Sequence, residues 1–317
     1  MKGKKVLFVG AQGPVSAPAV RLLAPDNDVY AMARFTKPGS TDRLESIGVT
    51  CLRHDLYDPL DDLPHDFDYV FHSALPPGVA NDPLGRWPES YDRYADATGR
   101  LMAHLRPKGF VFTSSISAYS PPGGATPVPE NSQFGIHTRP AYAFTKVANE
   151  AVISYVSRDL EIPAVILRVG SASGVDGGPM RDRLDRIVRG ESVLLHEDGP
   201  IYLRPIFEPD AARLAVAALE AGRVPPLVVN WCGDDIVTAE EYCEYFGELV
   251  GRAPVFEYSD KFPAYRSLVP DTTLMHETLG VCETSWREGC RALVQQCYPE
   301  LLEQTQGRRH PEAADER

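Results

Sequence analysis

The sequence predicts an α/β protein, a doubly wound parallel sheet followed by a smaller, mostly C-terminal region. Three observations predict it. Short apolar, β-branched runs alternate with helix-patterned stretches through the first two-thirds of the chain. A glycine-rich turn containing Gly10 and Gly13 follows the first of those runs. A cluster of hydroxyls follows the fifth, and Tyr142 and Lys146, four residues apart, lie near the start of the next helical stretch. In such a sheet ligands bind beyond the carboxyl ends of the strands, so these stretches are expected to converge.

Composition narrows the class. The 317 residues suffice for a large core, and 43% hydrophobic with 24% charged residues is ordinary for a globular protein. A net charge of −12 argues against nonspecific nucleic-acid binding. No apolar run reaches the roughly 18 residues of a membrane span. Val6-Leu7-Phe8-Val9, after a basic start, is too short for a signal-peptide core. The six cysteines have no paired spacing suited to zinc, so no metal site is expected and the thiols read as reduced, in a cytoplasmic protein. Cys290 and Cys297, seven apart, fall on one helix face.

The first strand runs from Lys5 to Val9 and the first helix from Ala17 to Leu23. Between them Gly10, Gly13 and Ser16 occupy the three places of a G-x-x-G-x-x-G turn. Such a turn brings backbone close to a pyrophosphate and aims a helix N-terminus at it. Pro14 removes one donor, leaving the N–H groups of Val15 and Ser16. The second strand, Asp28 to Ala33, ends at Arg34, with Lys37 close behind. In a dinucleotide fold an acidic residue there takes a ribose 2′-hydroxyl and an arginine accommodates a 2′-phosphate; an ordinary surface arginine is the competing reading. Val49 to Arg53 and Asp68 to Ser73 read as the third and fourth strands, and His72 as structural. Tyr91 to Leu105 is helical and a candidate dimer surface.

Gly109 to Thr113 is the fifth strand and leads into Ser114, Ser115 and Ser117. A hydroxyl there can hold a substrate carbonyl or simply cap a turn. Residues 120–139, rich in proline and glycine, read as a loop across the site. Tyr142 and Lys146 share a helix face one turn apart. A nearby ammonium favours a phenolate and suits a tyrosine to proton transfer. Ala164 to Val169 is the sixth strand. Further on, Met180 to Arg189 reads as a basic amphipathic helix, Ala211 to Ala221 as a helix and Leu227 to Asn230 as a returning strand. Thr238 opens a capping-box helix running to about Val250. Asp271 to Leu279 and Thr284 to Gln296 read as helices, and the polar stretch from Gly307 as a frayed tail.

These motifs together resemble the extended short-chain dehydrogenase/reductase superfamily, its NAD(P)-dependent epimerase/dehydratase branch, from Lys5 to about Glu303. Tyr142-x-x-x-Lys146 matches the Y-x-x-x-K motif, and Phe110-Val111-Phe112-Thr113-Ser114-Ser115 the strand carrying the catalytic hydroxyl, which falls on Ser115. His54-Asp55-Leu56 resembles the stretch beside the adenine, Phe71-His72-Ser73-Ala74 the one along the cofactor ribose, and Leu167-Arg168-Val169-Gly170 the one beside the nicotinamide. Ser16 replaces the third glycine, Pro14 follows the second, and Asp96 stands where the branch usually has Asn.

The resemblance implies a Rossmann fold, with a dinucleotide-binding domain of residues 1–169 plus 205–232. It leaves a substrate-binding region of 170–204 plus 233–304, and 305–317 as a flexible tail. It implies an oxidoreductase transferring a hydride between nicotinamide and a carbonyl or alcohol substrate. Tyr142 carries the proton, Lys146 tunes it and binds the nicotinamide ribose, and Ser115 polarises the substrate oxygen. The cofactor is NADP or NAD, with Arg34 leaning to NADP. The partners are a small-molecule substrate and a second copy of the chain, meeting through Tyr91–Leu105 and Tyr142–Arg158. A nucleotide-sugar epimerase with retained NAD is the alternative; Arg181, Arg183, Arg186 and Arg204 are its candidates for a diphosphate, although a solvated basic face is the preferred reading of them. A catalytically silent dinucleotide-binding module ranks third. The pocket is expected from residues 76–90, 120–138, 171–210 and 257–270.

Overall fold

Seven parallel strands form the frame: Lys5–Val9 (β1), Asp28–Ala33 (β2), Thr50–Arg53 (β3), Tyr69–His72 (β4), Gly109–Ser115 (β5), Ala164–Val169 (β6) and Leu227–Trp231 (β7). The coordinates are a computed structural model and describe residues 1–76, 87–135, 140–260 and 265–309. Across the sheet the order is β7, β6, β5, β4, β1, β2, β3. The order reverses between β1 and β4, and a crevice opens at that switch point. β1, β5 and β6 are buried on both faces, so they read in sequence as unbroken apolar runs.

Ten helices are described: Ala17–Leu23 (α1), Asp42–Glu45 (α2), Trp87–Leu105 (α3), Pro140–Leu160 (α4), Pro179–Arg189 (α5), Glu208–Glu220 (α6), Ala239–Val250 (α7), Thr273–Thr278 (α8), Trp286–Cys297 (α9) and Pro299–Arg309 (α10). Val6 and Phe8 of β1 point to one face of the sheet, in a core with Val20 of α1 and Leu214 of α6. Leu7 and Val9 point to the other, with Leu101 of α3 and Ile153 of α4. Helices α3 and α4 approach closely at Gly99, where a Cβ would lie 2.6 Å from Val152 Cγ1.

A separate core joins α5, α7 and α9 through Met180, Leu184, Tyr242, Phe246, Cys290 and Leu293. Here the strands are short: Val193–His196 pairs with Phe256–Ser259, and Tyr202–Leu203 with Val237–Thr238. The capping box at Thr238 and Glu241 forms as expected, and a second at Ser285 and Glu288 starts α9 two residues later than its sequence suggested.

The chain end departs from expectation. Instead of fraying from residue 305, α10 continues to Arg309. Leu302 docks into the second core, and the following Glu, Gln and Arg residues propagate a helix already nucleated there. β5 extends two residues past Thr113, so Ser114 and Ser115 are ladder residues paired with Arg168 and Val169. All six cysteines are free; Cys290 is buried and Cys297 half-buried, against the Arg181 guanidinium. No described helix is long and apolar enough to cross a membrane.

Candidate active site

The site begins at the turn after β1. Gly10 adopts φ +84°, and a Cβ there would sit 2.7 Å from the Ala74 nitrogen, so only glycine lets the β1 and β4 ends approach. The Gly10 carbonyl accepts hydrogen bonds from both the Ser16 and Ser73 hydroxyls, each at 2.6 Å. The Ser16 N–H donates to the Gly13 carbonyl. Ser16 and Ser73 therefore spend their side chains on the turn, and the Ser16 N–H expected to face a phosphate is engaged inside it. A Cβ on Gly13 would meet open space.

A cavity of about 410 Å³ opens beside this turn. Gly10, Gln12, Arg34, Lys37, Asp55, Leu56 and Ala74 are among its walls. Arg34 and Lys37 are exposed and make no ion pair among the described residues. Arg34 stands beside Phe35, which takes a left-handed φ of 44° and is held by Arg53 through its carbonyl.

A second cavity, about 260 Å³, lies on the other side of the turn, lined by Pro14, Val15, Ser115, Tyr142 and Val169 together with residues of the second core. Ser115 ends β5 in extended conformation, and its hydroxyl accepts from the Ser117 N–H at 3.1 Å. Tyr142 is half-buried in the first turn of α4. Lys146, one turn on, is 2% exposed; its ammonium lies 5.7 Å from the Tyr142 ring centroid and donates to the Thr113 carbonyl. Burial pushes its pKa down to about 7, against a raising effect from Glu150. His72 lies inside the sheet with Nε2 3.2 Å from Thr98 Oγ1, and burial followed by Lys146 pushes it down to about 3, in keeping with a structural role.

Behind Ser115 stands a buried ion pair. Arg168 on β6 donates to both carboxylate oxygens of Glu150, at 3.1 and 2.8 Å, while Ser114 donates to the same carboxylate. The Arg168 Nη1 reaches the Tyr119 hydroxyl at 2.9 Å and the Glu130 carbonyl at 2.7 Å. Tyr119 donates onward to Asn230. The sequence carried a signal for Glu150: it continues the Tyr142, Lys146 spacing by one more turn. Nothing local marked Arg168, Tyr119 and Asn230 as its partners.

The four arginines do not form one solvated face. Arg186 does behave so, paired with Asp182 one turn away, while Arg181 is half-buried, paired with Asp185 and packed against Cys297 and Tyr298. Arg204 is half-buried and donates to the Asp234 carbonyl. Arg183 is 9% exposed and lines the second cavity. The helix turns it inward beside Met180, Leu184 and Ile187, the apolar positions of α5. Asp96 lies outward, paired with Arg100 at 2.9 Å. Residues 77–86, 136–138 and 261–264 of the expected pocket lie outside the described residues.

A family model described as NAD dependent epimerase/dehydratase family matches residues 6–230. The chain belongs to the NAD-dependent epimerase/dehydratase family. It is thereby an enzyme of the extended short-chain dehydrogenase/reductase type. A UDP-glucuronic acid 4-epimerase from Bacillus cereus, solved with UDP-glucuronic acid and NAD, superposes with a TM-score of 0.80 at 21% identity, covering 94% of this chain and 100% of that one. A UDP-N-acetylglucosamine 4-epimerase from Methanobrevibacter ruminantium M1, solved with UDP-N-acetylmuramic acid, gives 0.80 at 21%, covering 95% and 100%. MoeE5, solved with UDP-glucose and NAD, gives 0.77 at 25%, covering 94% and 99%. At the lower identities the likeness is one of fold. A search of curated proteins finds no match.

The residues of this epimerase/dehydratase family member fit a dinucleotide. The Gly10 turn and the open space over Gly13 leave room for a pyrophosphate. Among the described residues the two cavities share no lining residue, and the turn lies between them: Gly10 faces one, Pro14 and Val15 the other. Arg34, Asp55, Leu56 and Ala74 line the first cavity, and Val15, Tyr142 and Val169 the second.

Proposed function

We propose that the chain transfers a hydride between a nicotinamide cofactor and a carbinol or carbonyl carbon, with Ser115, Tyr142 and Lys146 managing the oxygen. One observation carries this reading: Ser115 and Tyr142 line one cavity, with the Lys146 ammonium against the Tyr142 ring. Tyr142 moves the proton to or from the substrate oxygen. Ser115 hydrogen-bonds the same oxygen, so a donor already stands where negative charge develops. Lys146 binds the ribose beside it and sets the proton affinity of Tyr142. Its ammonium, close to the Tyr142 ring, favours the phenolate. A bound nicotinamide supplies or accepts the hydride. The apolar walls Ile116, Val169 and Leu268 keep water from the reacting carbon.

The adenosine end suits a phosphorylated ribose. β2 leads into Arg34, with Lys37 on the same cavity, and no carboxylate holds the position that takes a 2′-hydroxyl. NADP is therefore the preferred cofactor. A second reading, epimerisation with retained NAD, is supported by the complexes of the structural relatives with UDP-sugars and NAD. It uses the same three residues. In both readings two copies meet through α3 and α4; on α4, Tyr155 is 66% exposed. A monomer mass by light scattering at micromolar concentration would refute the dimer.

The deciding experiment denatures the purified protein and identifies released nucleotide by mass spectrometry, then titrates the empty protein with NADPH and NADH. Release of stoichiometric NAD selects the epimerase and removes the 2′-phosphate role of Arg34. Tighter NADPH binding, weakened in Arg34→Ala, supports the oxidoreductase. Tyr142→Phe is expected to lose roughly 10²–10⁴-fold in turnover with cofactor binding kept. Binding of neither nucleotide would defeat both readings.

A further inference from the structure

Arg183 is the buried cation that hydride transfer leaves unexplained. Its guanidinium donates to the Tyr242 hydroxyl and lies 5.5 Å from that ring centroid. Among the described residues no carboxylate stands within 4.0 Å of it. Asp182 and Glu240 are its acidic neighbours, and both have other partners: Arg186 for the first, the Ile201 N–H for the second. Its other N–H groups have no protein acceptor among the described residues, and none is among the atoms sealed from solvent without a partner. Arg183 lines the second cavity together with Ser115 and Tyr142. Arg266 lines the same cavity, but its side chain is half exposed and already paired with Asp198 at 3.2 Å.

Removing a guanidinium from water without an anion is costly, and burial holds the Arg183 pKa below its ordinary value. A planar fork of donors facing a cavity suits an incoming oxyanion. We propose that Arg183 is the binding point for an oxyanion of the substrate, phosphoryl or carboxylate, and so selects anionic substrates. This rests on the reading that the second cavity takes the substrate of hydride transfer.

The test is calorimetric, on the whole protein with whichever nicotinamide nucleotide it binds. Inorganic pyrophosphate, UDP and glucuronate are titrated into the wild type, Arg183→Gln and Arg183→Lys, with uridine and glucose as uncharged counterparts. At least one anion is expected to bind the wild type, with affinity falling roughly 10- to 100-fold in Arg183→Gln. The uncharged compounds are expected to show no dependence on residue 183. An effect on pyrophosphate and UDP assigns a phosphoryl group; an effect on glucuronate alone assigns a carboxylate. If Arg183→Gln no longer binds nucleotide, Arg183→Lys, which keeps the charge without the fork, decides with a loss in the same sense. No anion binding to the wild type, or equal affinity in the variant that retains nucleotide, overturns the proposal. Absence of nucleotide binding in the wild type would instead defeat the hydride-transfer reading, and the anion titrations would still be read on the free protein.

Discussion

The sheet and the second core each bury an arginine, and they treat it in opposite ways. Arg168, on β6, is 5% exposed and makes four hydrogen bonds, two of them to Glu150. The carboxylate, with Tyr119, raises its pKa against burial. Arg183, on α5, is 9% exposed, has a single hydroxyl as partner, and is shifted the other way. A buried charge neutralised by a buried carboxylate belongs to the scaffold. One left incomplete beside a cavity awaits a partner from outside.

The largest effect that can break this comparison comes from Glu150→Ala. It strands Arg168 and is expected to remove about 3–5 kcal/mol of stability, read by urea unfolding. A loss under about 1 kcal/mol would mean that the pair is not scaffold. Next comes the pH dependence of the cofactor-free protein. Lys146 is pushed down to about 7 from 10.5, so between those values the unfolded chain holds more protons than the folded one. Stability therefore rises with pH across that window. Lys146→Met should flatten this limb by on the order of 2 kcal/mol between pH 7 and 9.5. His72, pushed down to about 3 from 6.5, acts below it: stability falls as pH drops through 6.5 towards 3. The smallest effect is expected at the residue most like Arg168 by burial alone. Arg183→Leu leaves no carboxylate behind, so stability should stay level or rise by about 1 kcal/mol in urea unfolding. A loss of 3 kcal/mol or more, as for Glu150→Ala, would erase the contrast.

The same division governs what could be read in advance. β1, β2 and β6 were legible to the residue because strands buried on both faces leave apolar runs bounded by turn residues. The Gly10 turn and the shared helix face of Tyr142 and Lys146 were legible because both are local patterns, whereas Ser115 was singled out by resemblance. Strands of two residues, such as Tyr202–Leu203, carry no period to detect. Nor does their pairing with Val237–Thr238, which depends on packing between distant segments. Arg183 shows the limit best. In sequence it is one of several arginines on a basic helix, and only the position of α7 makes its side the buried one. Ser16 fails for the opposite reason: its position in the motif is plain, but its hydroxyl and N–H are used within the turn.

The Gly10 carbonyl, receiving two serine hydroxyls, ties the ends of β1 and β4 to the start of α1. That knot is made entirely of the chain's own atoms. A cradle already set needs little ordering when a dinucleotide docks, so capture should be governed by encounter rather than by a slow rearrangement of the loop. Residence time, in turn, should depend on the two ends, where Arg34 and Lys146 stand, more than on the glycines between them.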